Sequence, residues 1–214
     1  MTTNIGYWKR VLQNPTPAYR ELLHAEIAYL KAHVPTNAYL LDVGCGEGTT
    51  IETIQEITAH TVGIDNDPRA IEDASQRLAS APNTKIILAD ALNLPFNNGI
   101  FDIVIHMMTL VNFKEEKVPT LKEMSRVLKN TGRIIASVYS ENDLNLRLTM
   151  YEQIRVPIEK IDGATIIFDD SVGANKSEQF SRRDVEVMAR KAHLKIEHFQ
   201  SVGNLAYIFT LSKT

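Results

Sequence analysis

The sequence predicts an α/β fold: a doubly wound, mostly parallel seven-stranded sheet, helices on both faces, and a C-terminal antiparallel hairpin strand. Three observations predict it. Short apolar runs alternate with stretches whose apolar residues recur at helical spacing. One run, Phe101 to His106, is apolar almost throughout, as a strand covered on both faces is. The chain closes on two runs, Leu194 to Phe199 and Ala206 to Leu211, parted by the turn Gly203-Asn204.

At 214 residues and 44% hydrophobic, the chain is long enough to bury one substantial core, so a single domain is expected. Lys and Arg number 23 against 26 Asp and Glu, a formal net charge of −3, so nothing marks a nucleic-acid binder. Residues 38–115 are acidic, with 11 carboxylates against 4 basic residues, a balance that suits a cationic ligand better than a phosphate-rich one. One cysteine, Cys45, rules out a disulfide framework. The first residues lack a signal-peptide pattern, and no apolar run reaches membrane-spanning length. The expectation is a cytoplasmic enzyme, monomeric or weakly dimeric, with no nucleic-acid or membrane partner and no metal.

Thr16-Pro17 opens the first clear helix, cap then proline, with Tyr19, Leu23, Ile27, Leu30 and Val34 on one face. Leu40 to Val43 is a short buried strand that ends in glycines at alternate positions, Gly44, Gly46 and Gly48. Ile51, Ile54 and Ile57 then follow a helical period. The glycines therefore stand between a strand and a helix, where backbone N–H groups point outward and a ligand approaches closely. His60 to Ile64 is the second strand, stopped by Asp65-Asn66-Asp67-Pro68. Asp67-Pro68 is cap plus first-turn proline, whereas Asp65 has no such duty and stands where this kind of fold sets an acid on ribose hydroxyls. Lys85 to Ala89 is the third strand and ends in Asp90-Ala91. After Phe101 to His106, Pro119 starts a helix, Gly132 marks a left-handed turn, and Arg133 to Tyr139 is the fifth strand. Residues 140–180 break the pattern with a helix from Leu144 to Ile154, an extended piece from Thr165 to Phe168 and a loop from Asp169 to Lys176. Ser181 to Asp184 then begins a capped helix.

The dinucleotide fingerprint wants G-x-G-x-x-G, but here the third glycine comes one residue early and Thr49 takes its place. With Asp42 ahead of the loop, Asp65, Asp90, the pair Phe101-Asp102 and the run Glu123 to Gly132, the chain resembles the S-adenosylmethionine-dependent methyltransferases of the Rossmann-like, class I type that act on small molecules. The likeness is firm over 38–138. Asn130 and Thr131 depart from the family's proline and glycine at a turn.

The resemblance implies S-adenosylmethionine as cofactor and S-adenosylhomocysteine as its product. Loop residues Gly44, Cys45, Gly46 and Gly48 would pack against the methionine part, and Asp42 would orient the loop and the amino group. Asp65 would accept the ribose hydroxyls, Asp90 the adenine amine, and Ala91 with Ile64 or Asn66 would flank the adenine. His106, at the end of the fourth strand, is the candidate base and also borders the cofactor. Tyr7, Trp8, Thr109, Asn112, Glu141 and Arg147 are candidates for the acceptor side, with Tyr19 able to close over the site. The implied organisation is one domain over 1–214. It comprises a helical cap (1–37), a cofactor core (38–139), a substrate lid (140–180) and a closing helix and hairpin (181–214). The implied partner is a small-molecule acceptor. Rival readings are a dinucleotide-dependent oxidoreductase and a non-catalytic S-adenosylmethionine-binding protein.

Overall fold

A computed structural model describes residues 7–113, 115–172 and 176–214; the Trp8 side chain lies outside the described residues. Helix α1 (Tyr7–Gln13) leads into α2 (Pro17–His33), which Thr16 caps by accepting the Tyr19 N–H. Alternation then runs through β1 (Ala38–Val43), α3 (Thr49–Ile54), β2 (Thr58–Asp65), α4 (Pro68–Arg77), β3 (Thr84–Leu88) and β4 (Phe101–His106). It continues with α5 (Lys117–Val127) and β5 (Leu128–Ser140). The insertion holds α6 (Leu144–Gln153), β6 (Ile158–Asp162), β7 (Thr165–Phe168), β8 (Lys176–Ser177) and β9 (Gln179–Phe180). The chain closes with α7 (Arg182–Lys191), β10 (Leu194–Val202) and β11 (Ala206–Lys213).

The main sheet runs β3-β2-β1-β4-β5-β11-β10. Pairs from β3 through to β5 are parallel; β11 is antiparallel to both β5 and β10. The seven strands expected are thus present, and β9 adds an eighth by pairing with the end of β5. Strand order reverses between β1 and β4, and in an open α/β sheet the crevice beyond the carboxyl ends at that reversal is where ligands bind. Gly44 follows β1 and Met107 follows β4, so the glycine turn opens at this switch point.

Local chemistry explains most elements. Asp67 caps α4 by accepting the Arg69 N–H at 2.9 Å, and Ser181 with Asp184 forms a full capping box on α7. Leu40, Leu41 and Val43 of β1 are wholly buried, as a central parallel strand requires. Two expectations change. Gly132 does not adopt the left-handed conformation; a Cβ there would meet the Asp102 carbonyl oxygen at 2.7 Å, so close backbone approach is its reason. The 140–180 stretch carries a three-stranded antiparallel sheet, β6-β7-β8, of which only β7 was legible.

Candidate cofactor site

The glycine turn is built by backbone bonds to β2. The N–H groups of Gly44 and Cys45 both donate to the Ile64 carbonyl, at 2.8 and 2.9 Å. All three glycines have positive φ, and their surroundings differ in a telling way. A Cβ on Gly44 would strike the Thr109 side chain at 2.7 Å, and one on Gly48 would strike Leu78 at 2.8 Å. At Gly46 nothing among the described residues lies within 4 Å of such a Cβ. Gly44 and Gly48 are therefore glycines of packing, while Gly46 presents a bare backbone to open space.

Acids surround that open face. Asp65, ending β2, accepts the Gly46 N–H on Oδ2 at 2.9 Å and the Asp67 N–H on Oδ1 at 3.0 Å. The Ala89 N–H donates to the Asp65 carbonyl, which brings Asp90 and the half-buried Ala91 alongside. Asp90 and Asn66 are exposed, and Asp90 accepts the Leu92 N–H at 2.9 Å. Asp42 is only 2% exposed, and no hydrogen bond or ion pair reaches its carboxylate among the described residues. Burial, with the charges of Asp65 and Glu26 adding to it, pushes its pKa up to about 8. Cys45 is nearly buried, and burial raises its thiol pKa, so it stays a thiol and supplies no nucleophile.

Glu26 was not singled out in the sequence. It lies on the apolar face of α2 between Leu22 and Tyr29, is 7% exposed, and accepts the Ser137 hydroxyl at 2.5 Å. Ser137 in turn accepts the Met108 N–H at 2.9 Å. Burial raises the Glu26 pKa to about 7, and the Ser137 bond partly offsets that. Met108 is held at φ +51, a costly conformation for a side chain of that size and one that recurs at functional sites.

His106 corrects an expectation. It is fully buried, and its Nδ1 lies 2.6 Å from the Val43 carbonyl oxygen, so Nδ1 carries the proton and Nε2 does not. Burial pushes its pKa down to about 4, which leaves a neutral imidazole and a weak base near pH 7. Its Nε2 has no hydrogen-bond partner among the described residues. The geometry makes it a brace for the residue ahead of Gly44.

The acceptor-side candidates are scattered. Thr109 packs on Gly44 and donates to the Met107 carbonyl at 2.9 Å, and the Asn112 Oδ1 is buried without a partner among the described residues. Tyr7 is half-buried on α1 under the Arg10 guanidinium, and Tyr19 is buried near Glu26. Glu141 is exposed, with its N–H on the Phe180 carbonyl. Arg147 does not reach outward as expected. It is wholly buried, spending four N–H bonds on Ala164, Gln179 and Ser177, and it lies 4.7 Å from the Tyr139 ring centroid. That guanidinium ties α6 to the small sheet.

Helix α1 connects two rims. Lys9 pairs with Asp73 of α4 at 3.3 Å and lies 3.9 Å from Glu47 of the glycine turn, while Arg10 donates to Ile154 beside α6. Among the described residues there is no cluster of metal-ligating side chains and no helix long and apolar enough to cross a membrane.

Residues 41–136 match the family model described as a methyltransferase domain. The chain is 36% identical over 114 residues to the demethylmenaquinone methyltransferase of Staphylococcus aureus; that stretch is 52% of this chain and 47% of the relative, so the chain spans about half its length. Among solved structures, a protein from Pyrococcus horikoshii superposes with a TM-score of 0.76 at 25% identity, covering 94% of this chain and 93% of the other. The 1,6-didemethyltoxoflavin-N1-methyltransferase of Burkholderia thailandensis, solved with its substrate and S-adenosylhomocysteine, superposes with a TM-score of 0.70 at 18% identity. It is covered over 82% of its length, by 96% of this chain. The chain is thus similar to a methyltransferase domain over residues 41–136 and shares the fold of a methyltransferase structure that holds S-adenosylhomocysteine.

Proposed function

We propose that the protein transfers a methyl group from S-adenosylmethionine to a small-molecule acceptor by in-line displacement. The observation that carries this is the open face of Gly46, whose N–H donates to Asp65 in a turn that buried Asp42 precedes, with no cation paired to Asp42 or Asp65 among the described residues. A pyrophosphate-bearing dinucleotide would be repelled there, whereas a sulfonium is attracted. When bound, S-adenosylmethionine supplies an already activated methyl group.

The chain's work is then to orient and to exclude water, which contributes up to ~7–11 kcal/mol when the reacting atoms are held near attack distance. Gly46 gives the backbone surface, Asp65 and Asp90 the nucleoside contacts, and Asp42 the contact to the amino-acid end. Residues 1–37 and 140–180 serve as cap and lid around a core at 38–139, with 181–214 closing the sheet. The hydrogen bond from the Gln153 side chain to the Asn14 carbonyl, at 2.6 Å, supports that arrangement by joining cap to lid.

The Staphylococcus relative acts, by its name, on a demethylmenaquinone. A demethylated naphthoquinone is therefore the first acceptor to try. Incubation with methyl-labelled S-adenosylmethionine and a panel of small acceptors should give label transfer and S-adenosylhomocysteine only when an acceptor is present. Transfer to protein or RNA alone would contradict the small-molecule assignment.

A further inference from the structure

The acids of the crevice do not stop at the glycine turn. Asp65 ends β2, Asp42 lies in β1, and Glu26 reaches from α2 to Ser137 of β5. The strand order β2-β1-β4-β5 sets Asp42 between Asp65 and the Ser137 that holds Glu26, and both charges act on Asp42. The three carboxylates thus form a row across the carboxyl edge of the sheet, from the ribose side toward β5. Asp65 is engaged by two backbone N–H groups, but among the described residues Asp42 has no partner and Glu26 has only a neutral hydroxyl. No Lys, Arg or His among the described residues pairs with either. The groups facing Glu26 are Tyr19 on its own helix, Asp42 from β1 and Ser137 from β5; Asp42 also faces Asp65 and Cys45. Two nearly buried carboxylates, one acting on the other and neither paired with a cation among the described residues, are an unfavourable arrangement unless a cation arrives.

We infer that Glu26 is a cofactor-binding residue, which with Asp42 receives the cationic methionine end of S-adenosylmethionine. The inference rests on that cofactor being the ligand. It extends the site beyond the matched stretch, because α2 lies before residue 41. It also revises the role of the N-terminal segment, which then serves the cofactor as well as the acceptor. The ligand's positive charge favours the ionised form of both acids, so binding releases protons near neutral pH and tightens as pH rises.

The test is calorimetry at pH 7 in two buffers of different ionisation heat. S-adenosylmethionine is compared with 5′-methylthioadenosine, which keeps the nucleoside but has a neutral sulfur and no amino-acid tail. The wild-type protein should release protons on binding S-adenosylmethionine and none on binding 5′-methylthioadenosine. Glu26→Gln, which keeps an acceptor for Ser137, should weaken S-adenosylmethionine about tenfold and reduce the release, with 5′-methylthioadenosine unchanged. Equal weakening of both ligands, unchanged S-adenosylmethionine affinity, or no proton release by the wild-type protein would overturn the assignment. If the wild-type protein binds S-adenosylmethionine and Glu26→Gln binds it equally well, Glu26 fails alone; if the wild-type protein does not bind S-adenosylmethionine, the cofactor reading fails first.

Discussion

The Asp65 carboxylate accepts the Gly46 N–H at 2.9 Å, so the acid ending β2 fixes the bare tip of the glycine turn on β1. The same side chain receives the Asp67 N–H, while Asp67 caps α4. The two acids therefore separate cleanly. Asp65→Ala should weaken S-adenosylhomocysteine binding by about a hundredfold, the loss of charge-assisted bonds of roughly 1.5–3 kcal/mol. Asp67→Ala should cost about 1 kcal/mol of stability and leave affinity alone. Calorimetry and urea melts distinguish them; normal binding by Asp65→Ala would place the ribose elsewhere.

The glycines divide in the same manner. Gly46→Ala adds a methyl group that meets nothing among the described residues, at φ +53. Its stability cost should be about 1–2 kcal/mol from the left-handed backbone, while cofactor binding falls severely because the methyl occupies the ligand's face. Gly48→Ala puts a Cβ 2.8 Å from Leu78 and 3.3 Å from Ala74. It should destabilise the protein more than Gly46→Ala does. Thermal melts with and without S-adenosylhomocysteine read both effects, and a larger ligand-induced rise for Gly46→Ala than for wild type would refute the first.

Buried acids make the free protein sensitive to alkali. Asp42 and Glu26 have folded pKa values raised to about 8 and about 7, so each destabilises the fold as pH rises from its ordinary value through the raised one. His106 works oppositely, lowered from 6.5 to about 4, and costs stability as pH falls through that range. Between pH 6.5 and 8 the two raised acids oppose folding while the lowered His106 no longer does, so the melting temperature of the free protein should fall across this window. Saturating S-adenosylmethionine should flatten the fall. Asp42→Asn should raise free-protein stability at pH 8 while abolishing the ligand's effect, the exchange of function for stability expected at a binding site. A free-protein curve rising from pH 6.5 to 8 would count against this assignment.

Arg147 yields a prediction about the insertion. Arg147→Met removes the donors that hold Ala164, Ser177 and Gln179, leaving buried acceptors unpaired at a cost of about 3 kcal/mol. Limited proteolysis should cut within 155–180 in the variant, with S-adenosylhomocysteine affinity within twofold of wild type. Protection equal to wild type would show that the guanidinium is not what fastens α6 to the small sheet.

Much of the core was legible because its signals are local. Three alternating glycines after a short apolar run, an acid at the next strand's end and two cap-proline pairs each act within a few residues. The acceptor side was not, because its geometry is set by distant contacts. Glu26 looks like any polar residue of an amphipathic helix until the helix is laid beside Ser137, 111 positions away. Arg147 has the look of a surface cation until Ser177 and Tyr139 enclose it. Strand β6 hid for a simpler reason: only Ile158 of Ile158–Asp162 is withdrawn from solvent, so its pattern carries little alternation.

The central claim is that the glycine turn and its acids hold S-adenosylmethionine rather than a dinucleotide. Titration calorimetry of the wild-type protein with S-adenosylhomocysteine and, separately, with NAD tests it most directly. The account predicts a dissociation constant in the micromolar range for S-adenosylhomocysteine, roughly −8 kcal/mol, and no measurable heat with NAD. Tight binding of NAD without binding of S-adenosylhomocysteine would contradict it.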